Sequence, residues 1–180
     1  TLRDGGYYNN WNFNKELINK YLKEINKIKI KYIELGFRTL YEKKIKGNTA
    51  YTTDNFIKSL KIPKNLKMGV MINAADILES NLSSKKICRK LFPNVKNTKV
   101  NFVRLACHIH EPFKIINVIK WLKKNNFMVT INLMQISEIN KNQIRKLCKF
   151  LKKLNVDVLY LADSLGSLRP KETLKLTKLF

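Results

Sequence analysis

The sequence predicts an α/β fold: a parallel sheet wound as a TIM-type (β/α)₈ barrel, represented here by an incomplete barrel of about six βα units. Three observations carry that expectation. Short apolar runs alternate with longer amphipathic ones about six times along the chain, with no hairpin signal between neighbours. Asp4, Glu34, Asn73, His108, Gln135 and Asp163 fall at or just past the C-terminal ends of the apolar runs, and in a barrel those ends converge on one pocket. No Gly-x-Gly-x-x-Gly follows the first run, so the signature of a doubly wound dinucleotide-binding sheet is missing.

The elements follow in order. Leu2 reads as the end of a strand running into the Asp4-Gly5-Gly6 turn. Leu17, Ile18, Tyr21, Leu22, Ile25 and Ile28 recur at helical spacing and predict a helix over 15–28. Tyr32-Ile33-Glu34-Leu35-Gly36 is a short strand, followed by a polar loop and a weak helix over 54–60. A strand over 67–72 precedes one long helix over 74–92, stopped by Pro93. The pattern then becomes regular. Strands over 100–107, 128–133 and 156–162 alternate with helices over 112–124, 141–154 and 170–179, and Pro112 sits early in its helix.

A chain of 180 residues is one domain's worth, and 44% hydrophobic content is enough to bury a core. The chain starts without Met inside a strand end and stops at Phe180 inside a helical pattern. The expectation is a catalytic domain over 1–180, truncated at both ends. Six strands of eight would leave an open edge, so these residues alone are expected to aggregate or stay partly unfolded. No apolar run is long enough to span a bilayer, and no signal peptide opens the chain. Cys88, Cys107 and Cys148 are an odd, scattered set, which argues against a disulfide framework and for a reducing cytoplasm.

The net charge of +23 invites a nucleic-acid reading. The basic residues are mostly Lys, spread along the whole chain among Asn and Ile rather than gathered in a patch. They read as solvated faces whose summed field draws anionic substrates toward a cleft.

Four segments hold residues suited to chemistry. In the first, Arg3-Asp4-Gly5-Gly6, a carboxylate suited to a hard divalent cation is followed by glycines that let backbone approach a ligand. Arg3 suits an anionic substrate or developing negative charge. The competing reading is a turn aspartate beside a surface arginine. The second segment is Cys107-His108-Ile109-His110-Glu111. Its histidines point the same way if extended, and His108 is the better candidate for the site. Cys107 reads as an apolar filler rather than a nucleophile. In the third, Asp163-Ser164-Leu165-Gly166, the Ser164 hydroxyl suits a substrate carboxylate or carbonyl, and a capped turn fits equally well. The fourth is Glu34, a charge inside an apolar run that needs a partner. Arg3 is the natural one, with Glu34 orienting it. Trp11 and Trp121 read as packing residues.

Together these segments resemble a family. Thr1-Leu2-Arg3-Asp4-Gly5 is similar to the opening signature of the pyruvate carboxyltransferase-like metallolyases, which include hydroxymethylglutaryl-CoA lyase. The match is nearest to the 4-hydroxy-2-oxovalerate aldolase branch. Val103-Arg104-Leu105-Ala106-Cys107-His108 with Glu111, and Leu161-Ala162-Asp163-Ser164 with Gly166, resemble that branch's fourth- and sixth-strand segments. The resemblance implies a metal-dependent carbon–carbon lyase acting on a 2-oxo acid and an aldehyde. Asp4 would ligate Mn²⁺ or Mg²⁺, Arg3 would stabilise the pyruvate-type enolate, and Ser164 would lie near the substrate carboxylate.

Tyr7 stands where the aldolase branch carries its catalytic His, so Tyr7 or His108 is left to handle the proton. The family's remaining metal ligands, a His-x-His pair, would lie beyond Phe180. A synthase condensing an acyl-CoA with a 2-oxo acid, and a non-catalytic basic relative that binds anions or nucleic acid, remain as alternatives. A homo-oligomer or a partner dehydrogenase stays open.

Overall fold

A computed structural model describes residues 2–40 and 46–178. Thr1, the 41–45 part of the polar loop and the last two residues of the expected 170–179 helix lie outside them. Five strands form one parallel sheet in the order β1-β2-β3-β4-β5. They are β1 (Tyr32–Phe37), β2 (Lys67–Asn73), β3 (Val100–Cys107), β4 (Met128–Leu133) and β5 (Val158–Leu161). A sequential order with right-handed crossovers places the helices on one face. A doubly wound sheet would reverse its order at a switch point. The architecture is thus that of a partial TIM-like fold, with β1 and β5 as its edges.

Alternation along the strands sorts the two faces. Ile33 and Leu35, Val70 and Ile72, Val103 and Leu105, and Val129 and Ile131 are all buried in the core cluster. Against them pack Ile18 and Leu22 of α2 (Lys15–Lys27), Ile119 and Leu122 of α7 (Ile116–Lys124), and Ile144, Leu147 and Leu151 of α8 (Lys141–Lys153). Side-chain caps open several helices, α2 and α8 among them. Asn14 accepts from the Leu17 N–H at 2.7 Å, and Asn140 with Gln143 closes a capping box at the start of α8. Among the described residues no helix is long and apolar enough to cross a membrane.

Three expectations change. Leu2 does not end a strand: Leu2–Gly5 is a helical turn, α1, whose buried Leu2 belongs to the core. The turn is pinned because the Trp11 indole N–H donates to the Arg3 carbonyl at 2.9 Å. The described residues therefore hold five strands, not six. The long helix over 74–92 is two, α4 (Ala74–Leu78) and α5 (Ser84–Leu91). Between them lies Ser80-Asn81-Leu82-Ser83, where the Ser80 hydroxyl accepts from the Leu82 N–H at 3.2 Å, a local bond that competes with helix continuation. The expected 112–124 helix also breaks, at Ile115, into α6 (Glu111–Lys114) and α7. The remaining helices are α3 (Asp54–Ser59) and α9 (Pro170–Thr177).

The loop after β1 is held by a buried arginine. Arg38 donates from Nε to the Thr52 carbonyl (3.0 Å), from Nη1 to the Leu91 carbonyl (2.7 Å) and from Nη2 to Asp54 Oδ1 (2.6 Å). Its guanidinium lies 4.6 Å from the Phe92 ring centroid. Thr98 also donates to Asp54 Oδ1 at 2.6 Å.

Gly36 makes this loop's approach possible. A Cβ at Gly36 would fall 1.7 Å from the Thr49 carbonyl oxygen, and backbone cannot yield there as a flexible side chain would. Gly36→Ala is expected to cost about 1–3 kcal/mol, the scale of core overpacking. It would be read as a lower urea midpoint with unchanged slope; an unchanged midpoint would show that the 48–50 turn moves freely.

Candidate active site

The face opposite the helices is polar where the other is apolar. Glu34 alternates with Ile33 and Leu35, and Arg104 with Val103 and Leu105, so both charged side chains leave the helix-packed core. Glu34 is 4% exposed. It sits in the middle of β1, paired with Gly69, and not at the strand's C-terminal end as expected from the sequence. The Gly36 that follows marks a register shift rather than the strand's close.

Two guanidinium groups meet this carboxylate. Arg3 Nε donates to Glu34 Oε1, and Arg104 Nε lies 2.9 Å from Glu34 Oε2. Arg3 Nη2 also reaches Asp4 Oδ1 at 2.6 Å. Burial pushes the Glu34 carboxyl above its ordinary value, while the charges of Arg104 and then Arg3 oppose the rise. Each arginine also lies over an aromatic ring: Arg3 is 5.7 Å from the Phe37 centroid and Arg104 is 4.6 Å from that of Tyr160. The chain Asp4–Arg3–Glu34–Arg104 therefore crosses the sheet from α1 to β3 with its planar groups fixed at both ends.

Arg104 escaped the reading of the sequence, although its signal was the one that exposed Glu34: a charge inside an apolar run. Of the expected site residues, the structure brings Arg3, Asp4 and Glu34 into contact. Tyr7 stands beside them. Its ring is 63% exposed and packs edge-on against Trp11, 4.7 Å between centroids.

His108 lies just past β3 at the same end of the sheet and is exposed, its backbone N–H held by the Glu111 carboxylate at 2.7 Å. Ser164 lies past β5, where its hydroxyl accepts from the Gln135 N–H at 3.3 Å and ties two strand-end loops together. Asp163 accepts from the Leu168 N–H at 2.8 Å. That bond and other backbone N–H groups hold its carboxyl below the ordinary aspartate range, as in a capped turn. Cys107 is buried, and burial pushes its thiol far up, which leaves it a core filler.

Beyond the ends of β1 and β2 opens a cavity of about 500 Å³, lined by Tyr7, Trp11, Phe37, Tyr51, Asn73 and Asp76 among others. Phe37 and Trp11 are shared with Arg3: the first lies under its guanidinium and the second donates to its carbonyl. Among the described residues no three His, Cys, Asp or Glu side chains gather to hold a metal ion. Asp4, bound to Arg3, offers one carboxylate, a hard-oxygen donor but a single one.

The fold is similar to that of a solved structure, the crystal structure of the N-terminal domain of a putative aldolase from Bacteroides vulgatus. The TM-score is 0.84 and the sequences are 30% identical, over 99% of this chain and 57% of that one. The chain thus spans little more than half the length of that structure. No family model matches the sequence, and no curated protein does. Fold and likeness together define an α/β chain of partial TIM-like architecture, similar to part of an aldolase-like protein.

Proposed function

We propose that this chain carries part of the active site of a divalent-metal-dependent aldolase or lyase that makes or breaks a carbon–carbon bond next to a 2-oxo acid. The observation that supports it most is the pinned guanidinium of Arg3, held on the buried Glu34 and on Asp4 and packed over Phe37, a residue of the cavity wall. The likeness to an aldolase N-terminal domain points the same way.

Arg3 holds the oxo and carboxylate oxygens of a pyruvate-type acid and stabilises the enolate that forms as the bond breaks. In the condensing direction the enolate carbon adds to the aldehyde carbon, and the aldehyde oxygen takes up a proton. Tyr7 and His108 are the chain's groups for that proton, and the Ser164 hydroxyl meets the substrate carboxylate. Asp4 would be one ligand of a Mn²⁺ or Mg²⁺ ion, which supplies Lewis-acid polarisation of the oxo group when bound.

The test is deuterium uptake into the methyl group of pyruvate by the whole protein in D₂O with Mn²⁺. Uptake that disappears on chelation is the expected result. No uptake with Mn²⁺ or Mg²⁺ present would sink the proposal.

Arg104 is a positioning residue in this reading. Its charge is the first force holding the Glu34 carboxyl down against burial. Arg104→Met pushes that carboxyl further up, so that on acidification Glu34 takes up its proton sooner and Arg3 loses its charged partner. The acid limb of kcat/KM is expected to move to higher pH in Arg104→Met. A profile superimposable on the parent's would remove Arg104 from this role.

A further inference from the structure

We infer that the cavity beside Arg3 seats a neutral polyhydroxylated compound, an aldose-like aldehyde, rather than a phosphorylated or apolar one. That the ligand is an aldehyde rests on the function proposed above; that it is neutral and hydroxylated rests on the cavity walls alone.

Size and place come first. About 500 Å³ falls within the range of small-molecule sites, roughly 300–1,000 Å³. Phe37 closes β1 and Asn73 closes β2, so the cavity lies past the strand ends, and its wall residue Phe37 carries Arg3 over its ring.

Charge comes second. The chain has 36 basic residues against 13 acidic ones. Among the described residues that line the cavity the balance is inverted, with Asp76 and Glu79 against Lys46. Lys46 is itself drawn over the Trp11 ring, 4.8 Å from its centroid. In a protein this basic, an anionic tail would find better places than a wall with two carboxylates, so the cavity selects against phosphate.

Hydrogen-bonding capacity comes third. Asp76 accepts only, and its Oδ2 already takes the Thr39 hydroxyl at 2.9 Å, which fixes the carboxylate's plane. Glu79 accepts, Lys46 donates, and Asn73 and the Tyr51 hydroxyl do both. Hydroxyl groups, which donate and accept, match such a mixture; an alkyl chain would strip water from these polar groups and offer no hydrogen bond in exchange. The exposed Tyr7 ring supplies an apolar face for the C–H side of a polyol.

The test uses the whole protein and two readouts. Ribitol, an unreactive polyol, is titrated by saturation-transfer NMR and calorimetry, alongside ribitol 5-phosphate and 1-pentanol. Deuterium uptake into pyruvate is measured separately on the unaltered protein. Saturable ribitol binding is expected, tighter than that of the other two probes and weakened at least about tenfold in Asp76→Asn and in Glu79→Gln, with melting temperatures kept. No saturable ribitol binding, tighter binding of the phosphate or of pentanol, or ribitol binding undiminished in both variants would overturn the inference. Pyruvate exchange without ribitol binding would remove the polyol site and leave the lyase reading standing. Ribitol binding lost in the two variants, without pyruvate exchange, would keep the polyol site and remove the lyase reading.

Discussion

Replacing Arg3 with alanine is expected to lower turnover by about 10²–10³-fold, the scale on which a single preorganised donor to a developing oxyanion acts. The Michaelis constant for the 2-oxo acid should move much less. Both follow from where the charge sits. The guanidinium is held by Glu34 through Nε and by Asp4 through Nη2 before any substrate arrives, so little reorganisation remains as negative charge grows on the oxo oxygen. A contact that strengthens as the enolate forms acts mainly on kcat. Arg3→Lys separates charge from geometry. An ammonium keeps the positive charge but cannot reach Glu34 and Asp4 in the fixed fork of a guanidinium, and should recover only part of the rate. If Arg3→Ala kept turnover within about tenfold of the parent, Arg3 would be a structural bridge between α1 and β1 and nothing more.

Most of the fold is legible in the sequence because the strands are short apolar runs between longer amphipathic stretches of period 3.6. Phe102-Val103 and Leu105-Ala106-Cys107, buried on both sides of Arg104, show such a run plainly. The helices expected over 15–28 and 141–154 are found as Lys15–Lys27 and Lys141–Lys153, each opened by an Asn cap that apolar spacing alone did not mark. The errors fall where local chemistry is ambiguous. Leu2 is a lone apolar residue between Thr1 and Arg3 with two glycines downstream, a pattern shared by a strand end and a helical turn; the Trp11 indole on the Arg3 carbonyl decides it, and that contact spans a positive-φ turn at Asn10 and Trp11. The 74–92 segment keeps helical spacing through Ser80-Asn81-Leu82-Ser83, but the Ser80 hydroxyl there satisfies backbone locally.

The site was half visible. Glu34 stands out because a carboxylate amid Tyr-Ile and Leu-Gly demands a partner, and Arg3 is indeed that partner. The same reasoning reaches Arg104 in Val-Arg-Leu, yet the pairing of a third-strand residue with a first-strand one depends on two intervening registers, Glu34 with Gly69 and Met71 with Arg104. Sequence spacing does not carry that information. The cavity walls were less visible still. Tyr7, Tyr51 and Asp76 come from three segments far apart in sequence that meet only in the folded chain.

That loop supplies the largest expected stability effect. Arg38→Met should destabilise the protein by about 3–5 kcal/mol, the cost of removing one partner of a buried ion pair. Arg38 is 3% exposed. Its loss strands the Thr52 and Leu91 carbonyls and leaves the buried Asp54 carboxylate with Thr98 as its remaining side-chain donor. Methionine keeps the apolar stem against Phe92, so the loss reads out hydrogen bonds and charge rather than volume. Adding Asp54→Asn to Arg38→Met should be less harmful than the sum of the two single changes, since the stranded charge disappears with it. Denaturant midpoints of the four proteins would measure this coupling. A single-variant loss below about 1 kcal/mol would mean that water enters and satisfies Asp54. A full loss with no coupling would place the cost in the two carbonyls. Because Arg38 ties the end of β1 to the Thr52 carbonyl, next to the wall residue Tyr51, the same variant should also weaken ribitol binding, although Arg38 itself is buried and does not line the cavity.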